Sequence, residues 1–235
     1  MKSMIINLER LHGRVIPFSY NYYLAISLYS KLEIYQRDVR LLHHSSQVSM
    51  HTFSNIISNR VQIESDGLDI EKGKIVFRSF DPRIDTYLRL GLAEDPVIRI
   101  SDTTYNVTSI YKGEDFAFSK DKLNFKSLSP VLVKDWNKEN RFVSNPDDLE
   151  DNLEKHMLWS LENKFLVKDP HIKIQIKEKK PKTVRLTSHI KSEMLTRAFN
   201  IRGSIETSKE SMKIIYYRGL GSKTSLGLGC IEVVE

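Results

Sequence analysis

The chain has 235 residues, of which 40% are hydrophobic and 28% charged, and a formal net charge of +6; that is enough for two small domains of about 100 residues or one larger one. No apolar run approaches the roughly 18 residues of a membrane span, and Met1-Lys2-Ser3-Met4-Ile5-Ile6-Asn7 lacks the apolar core and cleavage site of a signal peptide. A single cysteine, Cys230, excludes an internal disulfide and suits a reducing cytoplasm, so a cytoplasmic protein without a membrane partner is expected.

Met4, Ile6 and Leu8 alternate with Ile5, Asn7 and Glu9, the period of a half-buried strand. Tyr20, Tyr23, Leu24, Leu28 and Leu32 then recur at helical spacing. Tyr29 lies roughly 140° around from Leu24, off the main apolar stripe, where it either packs or faces a site. A polar stretch with His43-His44-Ser45-Ser46 follows, then expected strands at 51–57 and 74–80. Asp81-Pro82 reads as an N-cap with proline in the first turn, and Ile84, Tyr87, Leu88 and Leu92 carry that helix's apolar face. A strand or strand pair over 97–111 completes the order strand, helix, strand, strand, helix, strand, which is the ferredoxin-like unit.

A second unit is expected after the polar segment at 113–121. Ser127 to Val133 reads as a strand, Asn145-Pro146-Asp147-Asp148 repeats the cap-and-proline pattern, and Leu149, Leu153, Met157, Leu161 and Phe165 recur every four residues. His171-Ile172-Lys173-Ile174-Gln175-Ile176-Lys177 alternates cleanly, with lysines on the face opposite the isoleucines. Val184 to Leu186 is expected to pair back across Lys179-Lys180-Pro181 as a basic hairpin, and 194–205 and 212–217 as further strands. The second helix of this unit is poorly marked. The expected domains are 1–113 and 122–235, each an α+β ferredoxin-like fold.

The charge is concentrated. Between His171 and Lys191, seven positive residues face one negative, Glu178, a local +6 that equals the charge of the whole chain. A neutral body with one basic block is the footprint of a nucleic-acid binder; a solvated lysine face is the plainer alternative.

Gly219-Leu220-Gly221-Ser222-Lys223-Thr224-Ser225-Leu226-Gly227-Leu228-Gly229 contains four of the chain's ten glycines. Such a loop takes positive φ or admits close backbone approach, and successive N–H groups in it can form a concave anion site. A Walker loop fails on spacing, since Lys223 follows Ser222 and no glycine stands five residues before it. The dinucleotide fingerprint fails because position 224 is threonine. A hairpin connection closing the last strand pair remains open.

Two Gly-hydrophobic-Gly triplets five residues apart resemble the glycine-rich loop of the CRISPR repeat-cleaving endoribonucleases, within the wider repeat-associated RNA-binding superfamily. Tyr22-Tyr23-Leu24, Leu128-Ser129-Pro130, and Lys180-Pro181-Lys182 with Arg185 are weaker local similarities in the same order along the chain. The resemblance implies two tandem ferredoxin-like domains and metal-independent cleavage of a precursor CRISPR transcript within each repeat. Attack by a 2′-hydroxyl leaves a 2′,3′-cyclic phosphate. Histidine suits proton transfer near neutrality, and the family's acid-base histidine matches His43, its tyrosine Tyr29. The family lysine matches Ser49, a departure that leaves His44, His51, Lys31 or Lys223 to supply positive charge. His44 is either a second catalytic histidine or a solvent-facing neighbour. Lys173, Lys177, Lys180, Lys182, Arg185, Gly219, Gly221, Lys223, Gly227 and Gly229 are expected to hold the RNA backbone.

His43, His44, His51 and Cys230 match no metal-ligand spacing, so neither metal nor cofactor is expected. The expected partner is CRISPR repeat RNA; association with other CRISPR effector subunits and a homodimer are left open. The alternative function is a non-catalytic RNA-binding subunit of a CRISPR ribonucleoprotein.

Overall fold

The computed structural model describes residues 2–35, 50–113, 118, 121–138, 141–186 and 195–234. Its first sheet contains β1 (Lys2–His12), β3 (His51–Phe53), β6 (Lys72–Ser79), β7 (Val97–Ile100) and β8 (Thr103–Lys112), ordered β3-β6-β1-β8-β7 and antiparallel throughout. Met4, Ile6 and Leu8 of β1 are buried while Ile5, Asn7 and Glu9 are half-buried, as the alternation requires. They pack beneath α1 (Asn21–Glu33) and α2 (Pro82–Glu94), whose Leu24, Leu28, Leu32, Ile84, Leu88 and Leu92 share one core with Ile75 and Phe77. A small sheet of β2 (Val15–Ile16), β5 (Leu68–Asp69) and β4 (Gln62–Ile63) sits beside it, pinned by the ion pair of Arg10 with Asp69.

Asp81 caps α2 as its sequence suggests. Its carboxylate accepts the Arg83 backbone N–H at 2.9 Å, with proline next in the chain. Asp81→Ala is expected to cost about 1 kcal/mol, read as a lower urea midpoint. The Arg83 side chain, bonded to the same carboxylate, holds its pKa below the ordinary 3.8. That stabilisation is therefore complete above 3.8 and is lost as pH falls through the lower folded value.

The second sheet repeats the first. It contains β9 (Lys122–Ser127), β10 (Ile172–Arg185), β11 (Leu195–Thr207) and β12 (Ile231–Val234) in the order β10-β11-β9-β12. In both sheets the first strand lies between the third and the last, which defines two ferredoxin-like domains. The helices are α3 (Leu149–Asn163) and α4 (Lys209–Arg218); Leu149, Leu153, Met157 and Leu161 bury one stripe of α3 against Phe125, Ile174 and Phe199.

Four expectations are corrected. Residues 212–217 form α4 rather than a strand, started by Ser208, whose hydroxyl accepts the Ser211 N–H at 3.2 Å. Every residue from Ser211 to Arg218 except Lys213 is buried, so the unbroken apolar run Ile214-Ile215-Tyr216-Tyr217 shows no helical period. The strand expected at 127–133 ends at Ser127, after which Val131 and Leu132 make only isolated bridges, to Phe199 and Ser222. β3, expected over 51–57, is likewise shorter, with three ladder residues and a single bridge from Ile57 to Lys74.

No chain reversal occurs at Lys179-Lys180-Pro181. β10 runs straight through it, paired with β11 from Ile172 to Arg185. Pro181 is tolerated because β10 is the edge strand and needs no outward donor there. A register shift between Ile176 and Glu178 leaves Lys177 as the extra residue, and such a bulge exchanges the faces of all that follows. Beyond it Lys179 pairs with Ile201, on the isoleucine face, while Lys180 and Lys182 pair with Asn200 and Ala198 on the other.

Candidate functional site

The 219–229 loop is where the two domains meet. Gly219, Gly221, Gly227 and Gly229 have φ of +93°, +74°, +72° and +74°, values that a side chain disfavours. All four also lack room: a Cβ on Gly227 would enter the Phe53 ring, and one on Gly229, Gly221 or Gly219 would meet the carbonyl of Leu220, Leu132 or Gly229. The loop therefore lies flat on β3. Thr52 Oγ1 donates to the Leu228 carbonyl at 3.0 Å, and Asn21 Nδ2 donates to that of Gly227 at 3.1 Å.

All four glycines are buried, and their amides turn inward. Gly219 N–H reaches the Ile215 carbonyl, Gly227 that of Thr224, Gly229 that of Pro130, and Gly221 the Met157 sulfur. A concave anion site built from these four N–H groups is thus replaced by internal bonding. Lys223, itself left-handed at φ +55°, is the exposed residue of the segment.

Tyr29 is only 6% exposed and belongs to the first core. Its hydroxyl lies 2.9 Å from His51 Nε2 and donates to the Ser225 carbonyl at 3.1 Å. Burial raises the Tyr29 pKa well above its ordinary value, so the phenol keeps its proton and serves as a donor, not a base. His51 is 2% exposed and stacks on Phe77 with ring centroids 5.5 Å apart. One helix, one strand and the far domain's loop thus converge on one hydroxyl.

His43, His44 and Ser49 lie outside the described residues. In the sequence they stand between α1, which carries Tyr29, and β3, which begins at His51. Lys31 is no source of free charge: it is 1% exposed and paired with Asp95.

Lys173, Lys177 and Lys180 are exposed along β10, whereas Lys179 is held by Asp147 at 2.8 Å. Lys182 and Arg185 are half-buried against the first domain: the Lys182 ammonium lies 5.7 Å from the Phe18 ring centre, and Arg185 donates to the Tyr23 hydroxyl at 2.7 Å. The structure therefore brings Lys182 and Arg185 to one seam and leaves Lys180, Lys177 and Lys173 exposed progressively farther along the strand. The glycine loop and the Tyr29 contact form a separate junction.

The pairing of Tyr29 with His51 and the meeting of Phe18 with Lys182 were not legible, since each joins distant segments with no local pattern. His156 is a further buried histidine, 3.5 Å from Ser222 Oγ. Burial and the nearby Arg218 cation push its pKa down to about 4, which keeps it neutral near pH 7. Among the described residues no three of His, Cys, Asp and Glu are grouped to hold a metal ion. None of the described helices is long and apolar enough to cross a membrane.

Two repeated ferredoxin-like domains, joined through a glycine loop that completes a contact inside the first, define a paired-ferredoxin protein. "CRISPR-associated protein Cas6, N-terminal" matches residues 15–111, and "CRISPR associated protein Cas6, C-terminal" matches residues 112–233. The chain belongs to the Cas6 family of CRISPR repeat-cleaving proteins. It is 25% identical to the CRISPR-associated endoribonuclease Cas6 1 of Methanocaldococcus jannaschii over 100% of this chain and 94% of that protein. An endoribonuclease-like Cas6 protein of Pyrococcus furiosus is 29% identical over 94% of this chain and 93% of its own. The solved structure of a Cas6-related gene product from Pyrococcus furiosus superposes with a TM-score of 0.83 at 26% identity, covering 100% of this chain and 98% of that one.

Proposed function

We propose that this chain binds the repeat RNA of a precursor CRISPR transcript and cuts it within each repeat without a metal ion. Two relatives of nearly full length, one named an endoribonuclease and the other endoribonuclease-like, support the reaction class. The observation that carries the site is the Tyr29 hydroxyl held between His51 and the Ser225 carbonyl; Tyr29 and His51 stand on the two elements that flank His43 and His44 in the sequence. In this reading His43 transfers the proton, and Tyr29, kept protonated by burial, positions or stabilises. The 2′-oxygen attacks phosphorus as its proton leaves, the P–O5′ bond breaks, and the 5′-oxygen takes up a proton. Positive charge near the phosphate lowers the barrier, a role open to His44 or the exposed Lys223 in place of the lysine absent at Ser49. Residues 1–113 then form the catalytic domain and 122–235 the domain that supplies the basic strand and glycine loop.

Cleavage of cognate repeat in EDTA is expected to proceed fully, and replacing the single ribose 5′ of the cut by deoxyribose to abolish it, because the nucleophile is gone. Cutting of the deoxy substrate would overturn the mechanism. Ser49 favours the second reading, a binding subunit without nuclease activity; a wild-type protein that binds its repeat tightly and never cuts it would establish that one.

A further inference from the structure

The seam between α1 and β10 sets two aromatic rings against two cations. Phe18, just ahead of α1, is 38% exposed, and the Lys182 ammonium lies 5.7 Å from its ring centre. Ser19 Oγ donates to the Thr183 carbonyl at 3.2 Å, which fixes the ring against the strand. Beyond it the Arg185 guanidinium lies 5.5 Å from the Tyr23 ring centre while bonding the Tyr23 hydroxyl. Lys180, exposed, shares the face of Lys182 through their cross-strand partners Asn200 and Ala198. Glu178, the only acid on β10, is drawn to Arg202 at 3.8 Å.

We propose that Phe18 is a stacking platform for an unpaired base of the bound RNA, with Lys180 and Lys182 taking the adjoining phosphates. The inference rests on the RNA-binding reading above and deepens it, by assigning single-stranded nucleotides to this place. A partly exposed aromatic ring, with Lys182 against it and the exposed Lys180 on the same strand face, matches a nucleotide, whose base has a π-face and whose phosphate has a charge. Lys182 already lies at the edge of cation–π range over the ring. A base arriving there frees the ammonium for a charge-assisted bond to the phosphate, which is the stronger contact. An acidic peptide satisfies the cations and leaves the ring unused. The ring comes from one domain and the charges from the other, so the platform exists only when the two are docked.

The test uses the full chain and non-cleavable repeat RNA carrying a deoxyribose 5′ of the cut, with dissociation constants measured across a salt series. Phe18→Leu keeps apolar bulk and removes the π-face; it is expected to weaken binding about 5- to 100-fold with an unchanged salt slope. Phe18→Trp restores affinity. Lys180→Ala with Lys182→Ala instead flattens the log-log slope by about 1.8. Wild-type affinity in Phe18→Leu, no recovery in Phe18→Trp, or equal losses on fully duplex RNA would each overturn the platform while the functional reading stands. A poly-glutamate peptide that competes with the RNA through a Phe18-dependent site would overturn it in favour of an acidic protein partner. A wild-type chain that binds no repeat RNA would overturn both.

Discussion

His43→Ala is expected to slow single-turnover cleavage of repeat RNA by about 10²–10⁴-fold, the usual contribution of a positioned general acid or base. Binding is expected to stay nearly unchanged, because affinity in this reading rests on the β10 lysines, which lie in the other domain. His44→Ala should cost less, unless His44 supplies the charge that the family lysine would provide at Ser49. In that case the two histidines act on one transition state, and the double variant loses much less than the product of the single effects. The measurement is a single-turnover rate beside a dissociation constant for each variant. Normal cutting by the double variant would remove this segment from the active site.

Gly227→Ala is expected to destabilise the protein by about 2–5 kcal/mol, from a left-handed residue gaining a Cβ and from a methyl forced into a packed ring. The φ is +72° and the obstacle is Phe53, fully buried on β3. Chemical denaturation gives the loss directly. Cleavage should fall with it, since displacing Gly227 shifts the Ser225 carbonyl that anchors Tyr29. Lys223→Gly makes the contrasting control: Lys223 is exposed and already left-handed, so relieving it leaves stability unchanged or higher. A Gly227→Ala protein as stable as wild type would show that the loop does not seat on β3 as described.

Where one residue's neighbours along the chain decide its conformation, the fold was readable. Met4, Ile6 and Leu8 announce their strand, and Asp81 and Asn145 announce their helices through caps that the structure contains. The helix at 209–218 was not readable, because burial on nearly all sides erases the 3.6-residue period and its isoleucines and tyrosines favour strands. Pro181 misled for a different reason: proline is a turn signal in isolation and harmless on a sheet edge. At the site, Tyr29 was found through the family pattern alone; its helical position says only that it leaves the main stripe. Its partners His51 and Ser225 are brought by tertiary packing, which no local spacing encodes. The glycines were legible as a backbone requirement, while the direction of their amides was not, since that depends on which carbonyls surround them.

The reach of the Tyr29 contact bears on how the molecule comes into being. Tyr29 bonds a carbonyl 196 residues later, and Asn21 one 206 residues later. During synthesis the first domain can form its own sheet and helices and bring Tyr29 to His51, yet the Ser225 carbonyl joins that pair only once the glycine loop has emerged and docked. Contacts of such separation form late and slowly. A nascent or truncated chain therefore carries Tyr29 and His51 without the Ser225 contact that completes them, so in the proposed mechanism cleavage competence arrives only with the second domain.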